Sequence, residues 1–410
     1  MAPPCPRMLA SIGTAVREGV VPSAPRTDTE PLALPHALDQ EEPVDTDSFE
    51  LKILDVVEET PDARSISLEV PAGAEEHFAY KPGQFLTVAV PSDQTGVAAR
   101  CYSLCSSPVG GGPLTITVKR TEGGYASNWI CDRLAPGDTL RVLPPSGIFT
   151  PASLSADLLL FAGGSGITPV ISITRTALQQ GTGRIVVFYA NRDERSVIFA
   201  DELSRLAADH PDRLLVVHWL ESVQGLPSQE QVRAFAAPYA SYDAFVCGPA
   251  PFMSMTVAAL KELEFPRARR HQEKFVSLGG NPFGDAVQQE QAEHEIEAAE
   301  SDADDTAQDP AGDADQPQGP VRLEVELDGQ EHVFDDWDPR TTLLDFLESK
   351  GVAAPYSCRE GECSACAVRL LEGEVKMLHN DVLDEEDLAD GIRLGCQSLP
   401  MTDTVKVTYS

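Results

Sequence analysis

Four cysteines near the C-terminal end of the chain have the spacing of an iron-sulfur ligand set. Cys358, Cys363 and Cys366 form a C-x4-C-x2-C loop, and Cys396 follows further along the chain. This is the plant-type spacing for a [2Fe-2S] cluster, in which four thiolates hold two irons. A structural zinc site is the alternative, but such sites usually contain paired C-x2-4-C knuckles. The spacing therefore predicts that these four cysteines bind a [2Fe-2S] cluster.

A glycine-rich turn after an apolar run predicts a dinucleotide site. The run 157-DLLLFA-162 is typical of a buried strand, and 163-GGSGITP-169 follows it directly. Glycines allow the backbone to approach a diphosphate, and we expect Pro169 to be the first residue of a helix whose N-terminus faces that anion. Because Pro169 stands where the dinucleotide fingerprint has its third glycine, a tight turn without a ligand is the alternative.

A third set of polar residues could bind a flavin. The segments 100-RCYSL-104, 118-VKR-120 and 123-GGYASNW-129 offer an arginine for phosphate, a tyrosine for stacking and a serine near an expected helix start. Each segment alone is equally typical of ordinary barrel structure. Their order within one domain favours a cofactor.

The elements around these motifs change in character along the chain. From Leu51 to Gly147, short alternating apolar runs lie between prolines and glycines, which predicts an antiparallel sheet or barrel. Beyond Pro151, continuous apolar runs alternate with amphipathic segments, which predicts a parallel sheet with crossover helices. The expected parallel strands lie in 157–164, 184–190, 213–220 and 243–249.

Composition changes divide the chain into five segments. Residues 284–320 contain 12 Asp and Glu and no Lys or Arg, which predicts a solvated linker. After it, we expect a hairpin with its turn at Asp328-Gly329. The predicted segments are a disordered tail (1–48), a flavin-binding β-barrel domain (49–152), a nucleotide-binding α/β domain (153–283), the acidic linker (284–320) and a cluster-binding domain (321–410).

The charge balance excludes several classes of function. With 31 Lys and Arg against 65 Asp and Glu, the net charge is -34, which argues against binding to nucleic acid or anionic membranes. No apolar run approaches the length of a membrane span, and we see no secretory signal, so we expect a cytoplasmic protein. The acidity is concentrated in the tail, the linker and the last domain, where it could steer docking on a basic partner.

The order of these motifs resembles the ferredoxin-NADP reductase superfamily, in the subgroup that carries a C-terminal plant-type ferredoxin. The segments 117-TVKRTEGGYASNW-129, 189-YANRDERSVIFADEL-203 and 356-YSCREGECSAC-366 resemble, more closely, the reductase components of 3-ketosteroid 9α-hydroxylases. The resemblance implies an antiparallel β-barrel flavin domain, an α/β parallel-sheet nucleotide domain and an α+β β-grasp ferredoxin domain.

The resemblance also implies roles for individual residues. Ser103 would lie near the flavin N5 and Cys247 would flank the nicotinamide, so these two are the candidate catalytic residues, although Cys247 is equally typical of a small buried hydrophobe. No ligand role is expected for Cys101, Cys105 or Cys131. The candidate cofactor-binding residues are Arg100, Tyr102, Ser103, Lys119, Ser127 and Phe275 for FAD, and Gly164, Ser165, Gly166, Thr168, Gly248 and Pro249 for the nicotinamide dinucleotide.

The combination predicts an electron-transfer enzyme. A nicotinamide gives up two electrons together and a [2Fe-2S] cluster takes one, so a flavin must stand between them. FAD is favoured over FMN because Lys119 to Ser127 offers partners for a pyrophosphate. Asp193 and Glu194 could accept hydrogen bonds from ribose hydroxyls, and Arg192 and Arg195 could meet a 2′-phosphate, so NADH and NADPH both stay open. The resemblance favours NADH.

The implied partner is a separate terminal oxygenase, of the Rieske type, acting on 3-ketosteroids in steroid degradation. One alternative is the reductase of another oxygenase, acting on phenylacetyl-CoA, an aromatic compound or an alkane. An alternative of another class is a non-catalytic electron carrier or redox sensor.

Overall fold

The computed structural model describes three large sheets, each with its own core, and one small two-stranded sheet. Among the described residues, no helix is long and apolar enough to cross a membrane. Nearly all of the predicted tail and most of the predicted acidic linker lie outside the described residues. The described residues are 48–92, 96–275, 282–283, 317, 319–327, 329–352 and 354–409.

The first sheet is antiparallel, in the order β4-β3-β6-β1-β2-β5, as the alternating pattern predicts. Leu86, Val88 and Val90 on β3 face the barrel core. Phe85 and Ala89, on the other face of β3, pack against residues of the third domain. This double burial explains why β3 is apolar on both faces. The elements are β1 Phe49–Thr60, β2 Ala63–Glu69, a 3-10 turn Glu75–Phe78, β3 Phe85–Ser92, β4 Gly96–Ser103, β5 Leu114–Lys119, α1 Tyr125–Arg133 and β6 Thr139–Val142.

The second sheet is parallel, in the order β11-β10-β7-β8-β9, with a hydrophobic core on each face. The four predicted strands are confirmed. The fifth, β11, has the sequence RHQE, which carries no apolar run, and it is held by parallel pairing with β10. The strands are β7 Leu158–Gly163, β8 Ile185–Asn191, β9 Leu214–Leu220, β10 Asp243–Cys247 and β11 Arg270–Glu273. The helices are α2 Ile167–Gln180, α3 Ala200–Asp209, α4 Glu221–Gln224, α5 Gln229–Ala236 and α6 Ala250–Glu262, with 3-10 turns at Gly164–Gly166, Glu194–Ser196, Ala237–Tyr239 and Arg267–Arg269.

The third sheet is mixed, in the order β13-β12-β18-β14-β16, and packs around a buried Trp337. Leu327 pairs with Gln330 across the predicted two-residue hairpin loop, so that hairpin is confirmed. Together the three sheets confirm the predicted fold class. The elements are β12 Val321–Leu327, β13 Gln330–Trp337, α7 Leu343–Ser349, β14 Ala367–Glu372, β15 Val375–Met377, α8 Glu385–Ala389, β16 Ile392–Leu394, a 3-10 turn Gly395–Gln397, β17 Ser398–Pro400 and β18 Thr404–Thr408, with β15 and β17 forming a small separate sheet.

Candidate functional site

The four predicted cluster ligands are brought together in one buried loop region. Cys358, Cys363, Cys366 and Cys396 are each at most 7% exposed. The 3-10 turn Gly395–Gln397 carries Cys396 to the loop, where its Sγ lies 3.3 Å from Sγ of Cys366. The structure thus joins the three sulfur donors of the loop to a fourth that lies 30 positions after Cys366 in the sequence.

The cluster loop points its backbone amides inward. The N–H groups of Glu360 and Glu362 donate to Cys358 Sγ at 3.4 and 3.3 Å. This geometry requires left-handed backbone at Arg359, Gly361 and Ser364, with φ of 60°, 81° and 53°. A Cβ on Gly361 would lie 2.8 Å from a backbone oxygen, so glycine is needed there.

The electrostatics of the loop favour a thiolate at Cys358. Hydrogen bonds from the thiols of Cys363 and Cys396, and from the two amides, lower the pKa of Cys358, while the same hydrogen bonds raise the pKa of the donating thiols of Cys363 and Cys396. Thiolates are the sulfur species that bind iron. Four buried sulfurs with amide donors directed at them therefore fit a [2Fe-2S] cluster.

Strand β4 carries the predicted flavin residues at the edge of the first sheet. Because side chains alternate along a strand, Arg100 and Tyr102 lie on one face while Cys101 and Ser103 lie on the other. Ser103 Oγ is buried and has no hydrogen-bond partner among the described residues. A buried hydroxyl without a partner is costly, so this site fits a ligand that supplies one. A flat ring along the edge of β4 could reach both faces.

A small cavity lies between β4, called the flavin strand below, and the loop 357–366 that holds three of the predicted cluster ligands, called the cluster loop. Ser103 on β4, Phe275 after β11 and the cluster ligand Cys363 all line it, with Phe85, Cys101, Glu273 and Lys274 completing the wall. Burial raises the pKa of the Glu273 carboxyl to about 8. The cavity brings together three segments that the sequence assigns to different tasks.

Lys119 ends strand β5 of the barrel and lies close to the glycine-rich segment 163–169, called the nucleotide loop below. A Cβ on Gly164 would be 3.7 Å from Lys119 Nζ, so the lysine ammonium lies against this loop. Burial lowers its pKa, partly offset by Asp62 at 3.8 Å. Ser127 lies in the first turn of α1, where its Oγ accepts a hydrogen bond from the Thr121 amide at 3.0 Å.

The nucleotide loop contacts the segment Cys247-Gly248-Pro249, which follows strand β10. A Cβ on Gly166 would lie 2.2 Å from the carbonyl oxygen of Cys247, and one on Gly248 would lie 3.0 Å from Cα of Gly163. Thr168 Oγ1 donates to the carbonyl of Ser165 at 3.0 Å. Glycine is therefore needed at Gly166 and Gly248 for close packing of the two loops.

Two expectations for this region are modified. Helix α2 begins at Ile167 after the 3-10 turn Gly164–Gly166, so Pro169 is its third residue and not its first. Cys247 is fully buried in the core under α2, and burial raises its thiol pKa. Pro249 is the N-cap residue of α6. The side chain of Cys247 does not line the cavity beside Ser103.

The charged residues after β8 are engaged in local contacts. Asp193 accepts hydrogen bonds from the amides of Arg195 and Ser196 at 3.1 and 3.0 Å. Arg192 forms an ion pair with Asp62 of the barrel at 2.7 Å. Of the two arginines that could meet a 2′-phosphate, Arg192 and Arg195, the first is thus paired with a carboxylate.

Several contacts between domains involve residues that no local motif indicates. Thr87 Oγ1 on β3 lies 2.5 Å from Ser357 Oγ beside the first cluster ligand. Lys274 Nζ, next to Glu273, donates to the carbonyl of Val382 at 3.0 Å. Basic residues at the edge of the nucleotide domain pair with Glu386 and Asp387 of α8. In the sequence, the only signal for these contacts is that hydroxyl groups and opposite charges occur on segments far apart in the chain.

Three models of known protein families each match a different part of the chain. The model for an oxidoreductase FAD-binding domain matches residues 50–150, that for an oxidoreductase NAD-binding domain matches 160–258, and that for a 2Fe-2S iron-sulfur cluster binding domain matches 325–401.

Relatives with known names are matched over nearly the whole of their own length. The chain is 53% identical over 88% of its length to the ferredoxin reductase component of 3-ketosteroid-9-alpha-monooxygenase from Rhodococcus rhodochrous, covering 96% of that protein. The component of the same name from Mycolicibacterium smegmatis is 50% identical over 90% of this chain and 99% of its own. A component protein of the 1,2-phenylacetyl-CoA epoxidase from Escherichia coli is 29% identical over 88% of this chain and 97% of its own.

A solved structure supports the fold alone. Phthalate dioxygenase reductase, described as a modular structure for electron transfer from pyridine nucleotides to [2Fe-2S], aligns with 88% of this chain and 98% of its own, with a TM-score of 0.51 and 22% identity. The three domain matches and the relatives near 50% identity show that the chain, which joins FAD-binding, NAD-binding and 2Fe-2S domains, belongs to the family of ferredoxin reductase components of 3-ketosteroid-9-alpha-monooxygenase.

Proposed function

We propose that this chain is the NADH-dependent reductase component of a 3-ketosteroid 9α-hydroxylase system. It would pass electrons from NADH through FAD and the [2Fe-2S] cluster to a separate terminal oxygenase of the Rieske type. The observation that carries the proposal is the shared cavity, in which the flavin-strand residue Ser103 and the cluster ligand Cys363 lie together.

The bound groups and the protein have separate tasks. When bound, FAD takes two electrons from a nicotinamide and releases them singly, as the cluster requires. Ser103 would offer its unpaired hydroxyl to the flavin, and Phe275, which is 43% exposed, would cover the ring. The loop around Gly166, packed on Cys247 and Gly248, would hold the dinucleotide against it.

The remaining cofactor contacts follow the same division. Arg100, Tyr102, Lys119 and Ser127 would complete the flavin site, with Arg100 and Lys119 supplying positive charge for the phosphates. The dinucleotide site would include Gly164, Ser165, Thr168 and Pro249. The four cluster cysteines would hold the irons, and their buried position keeps bulk water away from the sulfurs.

The identity of the partner is supported by the named relatives and by charge. Two relatives near 50% identity carry the name of a 3-ketosteroid monooxygenase component, whereas the phenylacetyl-CoA epoxidase protein is 29% identical. Residues 321–410 hold 8 Lys and Arg against 20 Asp and Glu, which favours a basic docking surface on the oxygenase. We also place the protein in the cytoplasm, because free thiol ligands need a reducing compartment.

Reconstitution with a 3-ketosteroid oxygenase tests this proposal. The wild-type protein should reduce ferricyanide with NADH and support steroid hydroxylation, and the second activity should fall as ionic strength rises. Cys363→Ser should retain ferricyanide reduction and lose support of the oxygenase. Cys131→Ser, which alters a buried barrel thiol that is no ligand, is the matched control and should retain both activities.

Two outcomes would contradict the proposal. If Cys363→Ser supported hydroxylation at the wild-type rate, the cluster could not be the electron exit. If the wild-type protein supported a phenylacetyl-CoA oxygenase and not the steroid oxygenase, the proposed partner would be contradicted. The proposed electron path through FAD and the cluster would not be affected.

A further inference from the structure

A buried hydroxyl pair joins the flavin barrel to the cluster domain. Thr87 Oγ1 lies 2.5 Å from Ser357 Oγ, although the residues are 270 positions apart in the chain. Thr87 is 0% exposed and Ser357 is 1% exposed. The bond therefore lies inside the interface between the two domains.

Each hydroxyl is close to one of the two redox sites. Ser357 directly precedes the cluster ligand Cys358. Thr87 pairs on the sheet with Cys101, two residues from Ser103 on β4. Cys101 Sγ lies 3.6 Å from Thr87 Oγ1 and 4.0 Å from Ser357 Oγ. A short set of contacts thus runs from the flavin strand to the cluster loop.

The surroundings of the pair are apolar. Phe85, Ala89, Ala99 and Leu143 of the barrel pack in one buried cluster with Cys358, Cys363 and Ala365 of the loop, and Phe283 belongs to the same cluster. Apolar contacts are non-directional, so they hold the surfaces together without selecting one register. A hydrogen bond in such surroundings is directional, and a buried hydroxyl that loses its partner is costly. The hydroxyl pair can therefore fix the position of the cluster loop on the barrel, which the apolar contacts alone do not determine.

We propose that Thr87 and Ser357 are positioning residues, whose hydrogen bond fixes the cluster loop on the flavin strand for electron transfer between the two sites. The inference rests on the proposed function, because it assumes that electrons pass from flavin to cluster within the chain. Transfer depends on how closely and in what orientation the two groups are held. The bond acts on that geometry, and its only sulfur contact among the described residues is with Cys101, which is not a cluster ligand.

Rapid mixing with NADH under anaerobic conditions separates the steps. Flavin reduction is followed by absorbance and cluster reduction by electron paramagnetic resonance of freeze-quenched samples. In Thr87→Val, which keeps the side-chain shape, we expect flavin reduction to be unchanged and flavin-to-cluster transfer to slow about tenfold, equal to about 1.4 kcal/mol in the population of the docked register. Thr87→Ser should restore the rate.

Matched variants control for a general effect of a lost hydroxyl. Thr117 is also buried in the barrel, where its hydroxyl lies 2.8 Å from that of Ser65, away from the interface. Thr117→Val should leave both rates unchanged. Ser357→Ala should slow transfer as Thr87→Val does, and the double variant should be no slower than either single variant, because one shared bond is lost in all three.

Hydrogen exchange of the loop amides tests the positioning apart from electron transfer. Exchange in residues 357–363 should become faster in Thr87→Val and stay at the wild-type rate in Thr117→Val. Unchanged transfer and unchanged exchange in Thr87→Val would overturn the inference. Failure of the wild-type cluster to accept electrons from NADH would instead overturn the proposed function, and the exchange result would still decide whether the bond positions the loop.

Discussion

Arg270 Nη2 at the start of β11 lies 2.9 Å from Glu386 Oε2 on α8, so an ion pair connects the nucleotide domain to the cluster domain. The arginine side chain is 6% exposed and the glutamate 37%. Lys261 Nζ lies 2.6 Å from the other oxygen of Glu386, and Arg267 pairs with Asp387. Part of the acidity of the cluster domain is therefore used within the chain to hold that domain in place.

Neutralising this contact should weaken docking of the cluster domain. In Glu386→Gln, we expect flavin-to-cluster transfer to slow a few-fold and to become less sensitive to salt, because Arg270 and Lys261 lose their shared carboxylate. Rapid mixing with NADH over a range of ionic strength measures both effects.

Glu385→Gln is the matched control for that change. It removes the same charge from an exposed neighbour on the same helix, and it should leave intramolecular transfer unchanged. Equal slowing in both variants would mean that the total charge of α8, and not the ion pair, governs docking.

Gln397 should raise the reduction potential of the cluster. Its Nε2 donates to the carbonyl of Arg359 at 2.7 Å and lies 3.7 Å from Cys396 Sγ. A donor near a ligand sulfur stabilises the more negative reduced state, so Gln397→Leu should lower the midpoint potential by on the order of tens of millivolts. Redox titration followed by electron paramagnetic resonance measures it.

The neighbouring Ser398 supplies a control for the potential. Its buried Oγ donates to the carbonyl of Leu394 and not to a sulfur, so Ser398→Ala should leave the potential unchanged. A shift of the same size in Ser398→Ala would indicate general loosening of the loop.

His271 on β11 should make the protein less stable in acid. Burial, with a smaller contribution from the Arg267 charge, lowers its pKa from 6.5 to about 4, and its ring stacks on Phe245 with centroids 4.3 Å apart. The unfolded histidine takes up a proton below pH 6.5 and the folded one does not, so stability is lost as the pH falls from about 6.5 towards 4. The contribution of His271 alone to this loss is about 2 kcal/mol between pH 7 and pH 5, and Glu273, whose pKa burial raises to about 8, contributes in the opposite sense.

Replacing the ring with one that does not titrate should remove this effect. His271→Phe keeps an aromatic ring for Phe245, and its unfolding temperature should fall less between pH 7 and pH 5 than that of the wild-type protein. An identical fall in both proteins would show that other groups cause the acid sensitivity.

The nucleotide site should prefer NADH. Because Arg192 is paired with Asp62, we expect kcat/KM for NADH to exceed that for NADPH by at least about tenfold, or about 1.4 kcal/mol. Arg192→Ala should leave the ratio of kcat/KM for NADH to that for NADPH unchanged. Asp62→Asn removes the carboxylate that pairs with Arg192 and should lower that ratio. A wild-type preference for NADPH would contradict this assignment.

Local patterns in the sequence determined the three domains and the cluster ligands. The alternating runs of the barrel, the continuous runs of β7 to β10 and the C-x4-C-x2-C spacing each depend on a few neighbouring residues, because strand period and ligand geometry act over short distances. The exception in the parallel sheet is β11, whose polar RHQE sequence forms a strand only because β10 offers it a paired edge. Pairing is a tertiary effect and leaves no apolar pattern.

The relationship between the domains was decided by the tertiary structure alone. Thr87 and Ser357 are ordinary hydroxyl residues in sequence, and Arg270 and Glu386 are ordinary charges, until folding brings each pair into contact. Such contacts join segments that are more than 100 residues apart, and each depends on the combined placement of two separately folded cores. The sequence therefore determined which cofactors the chain is built to hold, and only the packing of its domains decided which residues set the distance between them.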